Sequence, residues 1–150
     1  METEYIVLIS VLCGVVCLLV SLTLVFKSAQ HKLEKYILNT FNKEEIIGAT
    51  TKANFFGIKS KGARQIRGNG AIVLTKDQLF FVRALPFAEY TIPIDKITGV
   101  SLPKSFRGKT VFKELLCVHY KRDGQEDAIA WALKSPDKWK LSIDSTMNNR

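Results

Sequence analysis

The chain has 150 residues, of which 47% are hydrophobic, so it is long and apolar enough to bury the core of one domain. Its 22 lysines and arginines outnumber its 14 aspartates and glutamates, which makes it strongly basic. Three cysteines, at 13, 17 and 117, exclude an evident disulfide framework and a soluble metal cluster.

The first element in the chain is an uninterrupted apolar run over residues 5–26, which contains no charge and no proline. A helix of this length extends about 33 Å, enough to cross a hydrocarbon core of about 30 Å. A buried core helix and a cleaved signal peptide are the alternatives. The acidic start at Glu2 and Glu4, and Lys27 near the required cleavage position, argue against a signal peptide. We predict a retained transmembrane helix over 5–26, preceded by an extracytoplasmic tail, 1–4.

Basic residues fix the predicted orientation, because all 22 of them follow the apolar run. By the positive-inside rule the N-terminus lies outside and the rest of the chain lies in the cytoplasm, next to the cell membrane. Residues 27–43 are predicted to form a juxtamembrane linker helix that continues the span or lies on the bilayer surface. Residues 44–150 then form a basic cytosolic domain close to an anionic surface.

Two β-hairpins are predicted from alternating apolar residues and turn chemistry. Residues 71–75 and 78–84 pair across a two-residue turn, and the second hairpin turns at Asp123-Gly124, a preferred turn dipeptide. The expected partners are Leu74 with Leu79, Ile72 with Phe81, Lys121 with Glu126, Val118 with Ile129, and Leu116 with Trp131.

The remaining elements complete a fold of the mainly β with α class. A short strand around 90–92 is followed by a strand over 94–102 with a bend or bulge at Gly99. Residues 135–147 form a helix with Ser135 as N-cap and Pro136 at its first position, and its apolar stripe should lie against the sheet. About seven antiparallel strands should curl into a nearly closed barrel plugged by this helix.

The order of these segments resembles the pleckstrin-homology-like superfamily, especially GRAM-type and bacterial PH-like domains. The resemblance covers residues 44–147 and rests on GNGAIVLT, DQLFFV, IPIDKITGV, LLCVHY, AIAW and SPDKW. It implies a PH-like barrel with a C-terminal capping helix. Members of the family commonly bind phosphoinositides, other anionic lipids or proteins, and bacterial members are often joined to membrane spans. No lipid-contact signature matches residue by residue.

Two glycine motifs superficially suggest a nucleotide cofactor. Gly68-x-Gly70 lacks a third glycine, since Val73 occupies its place, and a strand rather than a helix follows it. We interpret it as a turn with positive φ. Gly108-Lys109-Thr110 matches the end of a P-loop, but Pro103 stands where that motif begins. No cofactor is therefore expected.

Catalysis would have to use one of two histidines. His31 lies in the linker, whereas His119 shares a hairpin face with Cys117, and this pair could in principle supply a base and a nucleophile. Neither a third orienting group nor a cleft is evident, so we expect an ordinary sheet surface and no enzyme activity. Scattered acidic residues and distant histidines predict no metal site.

Two basic loops provide the candidate binding residues. The first carries Lys59, Lys61, Arg64 and Arg67, and the second carries Lys104, Arg107 and Lys109 around a Phe106 expected to be exposed. If both loops lie at one end of the barrel, they form a cationic rim with an apolar tip, suited to phosphate headgroups. Otherwise the charges merely solvate the domain. Nucleic acid is disfavoured because aromatic residues are not interleaved with the charges.

The sequence therefore predicts a membrane-anchored, non-catalytic binding module that engages anionic lipid or an acidic partner through its basic loops. The alternative is an accessory or scaffold subunit of a membrane protein complex. That subunit would dock through the apolar sheet surface or through the face of the span that carries Cys13, Gly14 and Cys17.

Overall fold

The computed structural model describes residues 2–62 and 64–149, and it divides into two compact units, Met1–Lys32 and Leu33–Arg150. Helix α1 runs from Glu2 to Thr40 without a break and includes residues 27–40 of the segment 27–43 that was predicted as a linker helix. Within it, Glu4–Thr40 is long and apolar enough to cross a membrane, with a mean hydropathy of 2.8 in its most apolar window.

The described residues of the second unit form nine strands and a C-terminal helix. The bounds are β1 Ile46–Ile58, β2 Gly68–Thr75, β3 Gln78–Arg83, β4 Ala88–Pro93, β5 Ile97–Ser101, β6 Ser105–Phe106, β7 Lys109–Thr110, β8 Leu116–Arg122, β9 Gln125–Ala132 and α2 Pro136–Asn148. Single 3-10 turns precede β1 and β5. Seven strands form one antiparallel sheet in the order β4-β3-β2-β1-β9-β8-β5, and β6 and β7 pair separately. The predicted class, mainly β with α, is confirmed.

Both predicted hairpins have the expected register. Leu74 lies opposite Leu79 in the first hairpin, and Val118 lies opposite Ile129 in the second. The β5–β8 pairing shifts register between Ile97 and Gly99, which is the irregularity expected at Gly99. Local turn chemistry and alternation were therefore sufficient to align these strands.

The sheet curls around one apolar core to which all seven of its strands contribute. Large fully buried side chains such as Trp131, Phe55 and Phe81 fill it, and Phe55 stacks on Phe81 with ring centroids 5.7 Å apart. Helix α2 adds Ile143, which is buried, and Trp139, which packs against the cluster. The predicted apolar stripe of α2 is thus confirmed as its core-facing side.

The end of α1 covers the outer face of β2 and β3. Leu33, Ile37 and Phe41 follow one another at a spacing of four residues, which places them on one side of the helix. They are buried against Ala71, Val73, Phe80 and Val82. Residues 33–41 are consequently part of the folded unit and belong with its core.

The segment between β5 and β8 covers the outer face of β1, β8 and β9. Phe106 and Val111 pack against a buried cluster of Phe56, Leu115, Cys117, Ala128 and Ala130. The expectation that Phe106 is exposed is wrong, because this face of the hairpin is apolar and the segment shields it from water. The aromatic residue that is exposed in this segment is Phe112, at 93%.

Two local expectations need correction. Gly68 and Gly70 lie within β2 without positive φ, so they are not a turn. A Cβ at Gly70 would lie 2.2 Å from the carbonyl oxygen of Val82, so close strand packing requires glycine there. Ser135 does occupy the N-cap of α2, but its side chain makes no capping hydrogen bond.

Candidate functional site: two joined basic loops

The loop between β1 and β2, residues 59–67, is organised around the side chain of Gln65. Its Oε1 accepts a hydrogen bond from Ile58 N at 2.9 Å, and its Nε2 donates to Ile58 O at 2.7 Å and to Gly62 O at 2.6 Å. Gly57, at φ +132°, allows this side chain to approach, since a Cβ there would lie 3.1 Å from Gln65 Nε2. The amide of Gln65 thus satisfies backbone groups of Ile58 and Gly62 that a neighbouring strand would otherwise bind.

The start of the same loop is fixed by Asp127, a buried residue of β9. Its carboxylate accepts hydrogen bonds from Ser60 N at 2.9 Å, Ser60 Oγ at 2.5 Å and Ala128 N at 2.8 Å. Burial raises the pKa of Asp127, but these hydrogen bonds outweigh it, so the pKa lies below its ordinary value. Burial and the neighbouring carboxylate raise the pKa of Tyr120 to about 12, which keeps its hydroxyl available as a donor to Asp127.

The two basic loops are in contact. Lys109 Nζ donates a hydrogen bond to the carbonyl oxygen of Gln65 at 2.7 Å, and Lys109 is itself partly buried. It lies on the β6–β7 hairpin, where Arg107 and Gly108 both have positive φ, as a tight two-residue turn requires. The P-loop-like match at 108–110 is therefore the turn and second strand of a hairpin.

The seven predicted cations are mostly at the surface. Lys59, Lys61, Arg64, Arg67, Lys104 and Arg107 are exposed. Two of them lie over aromatic rings: the guanidinium of Arg67 is 4.0 Å from the ring centroid of Phe56, and Lys61 Nζ is 5.5 Å from that of Tyr90. Within residues 2–62 and 64–149, none of the seven pairs with a carboxylate at ion-pair distance.

Arg67 also lines an open groove of about 720 Å³ with three further cations that the sequence analysis missed. These are Lys52 on β1, Lys113 before β8 and Lys134 after β9; one carboxylate, Glu114, accompanies them. The four basic residues are far apart in sequence, so no charge cluster in the chain indicated them. They come together in the folded sheet, where β1, which carries Lys52, pairs with β9, which ends just before Lys134.

Lys61 lines a second groove, of about 360 Å³, between β4 and the β8–β9 hairpin. Lys121 and Arg122 line it as well, above an apolar floor that includes Ile58 and Ile129. Arg122 has an exposed ion pair with Asp123, with 3.8 Å between Nε and Oδ2. Glu89 lines this groove too, so loop 59–67 contributes one cation to each of two grooves that contain several cations and one carboxylate.

Cys117 and His119 are close, as expected from the strand, but they do not resemble an activated pair. The Sγ–Nε2 distance is 3.8 Å, while His119 Nε2 lies closer to Ser101 Oγ, at 2.8 Å. Cys117 is buried, and this burial raises the pKa of its thiol. A nucleophilic cysteine needs the opposite shift, because the thiolate is the reactive form.

Among the described residues, no group of three or more histidine, cysteine, aspartate or glutamate side chains could hold a metal ion. His31 lies on α1 and His119 on β8, in different units of the chain. The candidate site is consequently defined by its positive charges and hydrogen bonds alone.

Comparison with known proteins identifies a shared fold. The chain is similar to the crystal structure of the C-terminal domain of an unknown protein from Leishmania infantum, with a TM-score of 0.52 and 15% sequence identity. The similarity covers 68% of this chain and 83% of that domain. No protein-family model matches the chain, and no curated protein matches it. At this identity the similarity establishes a common arrangement of sheet and helix.

Proposed function

We propose that the protein is a membrane-anchored, non-catalytic binding module whose joined basic loops engage the headgroups of anionic phospholipids. In this proposal α1 spans the cell membrane with its N-terminus outside, and the second unit is a PH-like domain on the cytoplasmic side. That orientation is supported by the position of the basic residues, all 22 of which follow the apolar run of α1.

The hydrogen bond between Lys109 and Gln65 carries the proposal. It joins two loops that are separated in sequence, which supports a binding surface to which both loops contribute. Because these charges lack carboxylate partners in the described parts of the chain, they are available to an external anion. Basic residues beside an anionic membrane surface each contribute about 1 kcal/mol of attraction.

Strand order supports the PH-like assignment. Four strands, β1–β4, follow one another in a meander; β5, β8 and β9 form a three-stranded set; and α2 packs against the enclosed core. This arrangement agrees with the sequence resemblance to GRAM-type domains. The fold itself allows many ligands, so the lipid proposal rests on the charged loops.

The alternative, a scaffold subunit that docks through the apolar sheet, has less support. Two apolar regions of the outer face of the sheet are covered by the chain itself. Leu33, Ile37 and Phe41 cover one, and Phe106 and Val111 cover the other. That alternative would therefore have to use the exposed helix face of α1 that carries Cys13 and Cys17.

A charge-reversal experiment on the full chain tests the proposal. Lys59, Lys61, Arg64 and Arg67 are changed together to Glu, and the phosphatidylserine retained by the purified protein is counted by native mass spectrometry. The matched control reverses four exposed lysines elsewhere: Lys43, Lys76, Lys96 and Lys138. We expect a large, salt-sensitive loss for the loop variant and a small one for the control.

Equal lipid retention by the two variants would reject the loop assignment. Retention of phosphatidylserine by neither the wild-type protein nor the control would reject lipid engagement altogether. Circular dichroism of each variant confirms that the comparison is made between folded proteins.

A further inference from the structure

The groove of Arg67 combines positive charge with an apolar lining. All four of its cations are exposed: Lys52, Arg67, Lys113 and Lys134. Within residues 2–62 and 64–149, none of the four forms an ion pair. The lining also includes half-buried apolar side chains: Val111, Ala132, Leu133 and Pro136. Its volume of about 720 Å³ lies within the range of pockets that hold a ligand.

Arg67 is the cation of this groove that is held in place before any partner binds. Its guanidinium lies 4.0 Å from the ring centroid of Phe56, which belongs to the buried cluster beneath the β5–β8 segment. The loop that carries Arg67 is fixed in turn by the hydrogen bond from Lys109 to Gln65. A guanidinium already in position loses less conformational entropy on binding and can accept both oxygens of a carboxylate ligand.

An uncovered aromatic side chain lies at the edge of the same groove. Phe112 is 93% exposed, and its chain neighbours Val111 and Lys113 both line the groove. Its φ of 58° lies in the left-handed region, which a bulky residue adopts only at a cost in free energy. Thr110 Oγ1 holds this conformation, since it accepts a hydrogen bond from Phe112 N at 3.0 Å and donates one to Lys104 O at 2.7 Å. The segment therefore presents a large apolar group to solvent beside the four cations.

The combination of charges and apolar groups indicates the chemistry of the ligand. Cations alone would suit any polyanion, including single-stranded nucleic acid. The apolar lining and Phe112 favour an anion that also carries apolar side chains. Glu114, a carboxylate in the same groove, would repel a phosphate but can accept a hydrogen bond from a peptide N–H. We propose that the groove of Arg67 binds an acidic polypeptide segment of a partner protein, with an apolar residue of that segment packed against Phe112.

This site is distinct from the surface proposed for anionic lipid and shares Arg67 with it. The three lysines of the groove lie outside both basic loops, on β1, before β8 and after β9. Every residue of the groove belongs to the second unit, so peptide binding requires no bilayer. The two proposals can therefore fail separately.

Binding of labelled peptides to the full chain in neutral detergent micelles tests the proposal. The probes have equal length: alternating glutamate and tyrosine, glutamate alone, alternating lysine and tyrosine, and oligothymidylate. Fluorescence anisotropy measures their affinities. In the groove variant the three lysines of the groove are changed together to Glu, and the matched control reverses three exposed lysines elsewhere: Lys43, Lys76 and Lys96.

We expect the wild-type protein to bind the glutamate–tyrosine peptide most tightly. The groove variant should lose about tenfold or more of that affinity and the control much less, because charges at the site act over shorter distances than charges elsewhere. Equal losses would show a response to net charge and reject the site. Tighter binding of oligothymidylate, or equal binding of the lysine–tyrosine peptide, would reject an acidic polypeptide as the ligand. Phosphatidylserine retention that falls as far in the groove variant as in the loop variant would assign the groove to lipid and overturn the proposal.

Phe112→Gly separates the aromatic contact from the charges. Glycine adopts a φ of 58° without strain, so the midpoint of thermal unfolding should not fall. Affinity for the glutamate–tyrosine peptide should fall about three- to tenfold, while affinity for glutamate alone stays unchanged. The control is Leu141→Ala, since Leu141 is 69% exposed but lies on α2, and it should change neither affinity. Equal weakening of both peptides by Phe112→Gly, or of neither, would overturn the apolar contact.

Discussion

Two regions of the outer face of the sheet are covered in different ways. Over β2 and β3 the cover is a regular helix, whose Ile37 and Phe41 meet large side chains such as Phe80. Over β8 and β9 the cover is an irregular segment, and the strands beneath it present small residues such as Ala128 and Ala130. The helix also lies over Ala71 and Val73, and the irregular segment also lies over Phe56 and Leu115, so the two covers differ in backbone form rather than in the size of the residues beneath them.

The two covers contribute different things: one mainly stabilises the domain, and the other mainly positions basic residues. The helical cover buries large aliphatic and aromatic groups, so it contributes hydrophobic free energy and joins the domain to α1. The irregular cover carries Lys104, Arg107 and Lys109 to the neighbouring basic loop. Variants of the first cover should therefore change the free energy of unfolding most, and variants of the second should change mainly the loops.

The largest effect is expected from Ile37→Ala. Ile37 is 4% exposed, and removing its side chain should lower the free energy of unfolding by about 2–5 kcal/mol through lost burial and a residual cavity. Chemical denaturation of the full chain in detergent measures this. The control is Leu38→Ala. Leu38 is the next residue on α1 but is exposed, so its truncation should change the free energy of unfolding by less than about 0.5 kcal/mol. Equal changes would show that α1 does not stabilise the sheet.

The sequence predicted what depends on near neighbours. The pairs Leu74–Leu79 and Lys121–Glu126 followed from alternation and a two-residue turn, because a hairpin register is set within a few residues. The seven cations of the two loops were also recognisable as local clusters. Their contact through Lys109 was not, because it joins residues 44 positions apart.

Features that depend on distant packing were missed or misread. Lys52 and Lys134 reach the groove of Arg67 only through the sheet, and nothing in their local sequence indicates a common site. Phe106 was expected in solvent because its neighbours are charged, yet it covers an apolar face formed by strands further along the chain. Gly70 was interpreted as part of a turn. The lack of room for a Cβ comes from Val82 on β3, and the residues next to Gly70 do not reveal it.

An intermediate effect is expected from Asp127→Ala, which removes the acceptor that fixes loop 59–67 to β9. Ser60 N and the Tyr120 hydroxyl would lose their partner, so the free energy of unfolding should fall by about 1–3 kcal/mol. Amide exchange at Ser60 should accelerate. Asp95→Ala serves as control, since Asp95 is exposed and the loss of its exposed ion pair with Lys96 should be nearly neutral.

The same residue predicts a pH dependence. Because the pKa of Asp127 is lower in the folded protein, its contribution is fully present above the unfolded value of about 4 and is lost as pH falls through the folded value. The stability difference between wild type and Asp127→Ala should therefore stay constant at neutral pH and shrink in acid. A difference that instead grows in acid would contradict the assigned ionisation.

The smallest change in stability is expected from Lys109→Met, which keeps the aliphatic stem but removes the bond to Gln65 O. One partly exposed hydrogen bond contributes about 1 kcal/mol or less, so unfolding should hardly change while amide exchange in loop 59–67 becomes faster. The control is Lys104→Met, which also removes one positive charge from this segment, but from an exposed side chain. If the joined loops act as one site, Lys109→Met should reduce phosphatidylserine retention more than Lys104→Met does. Equal reductions would mean that the membrane responds to net charge alone, and that the contact between the covering segment and loop 59–67 has no part in binding.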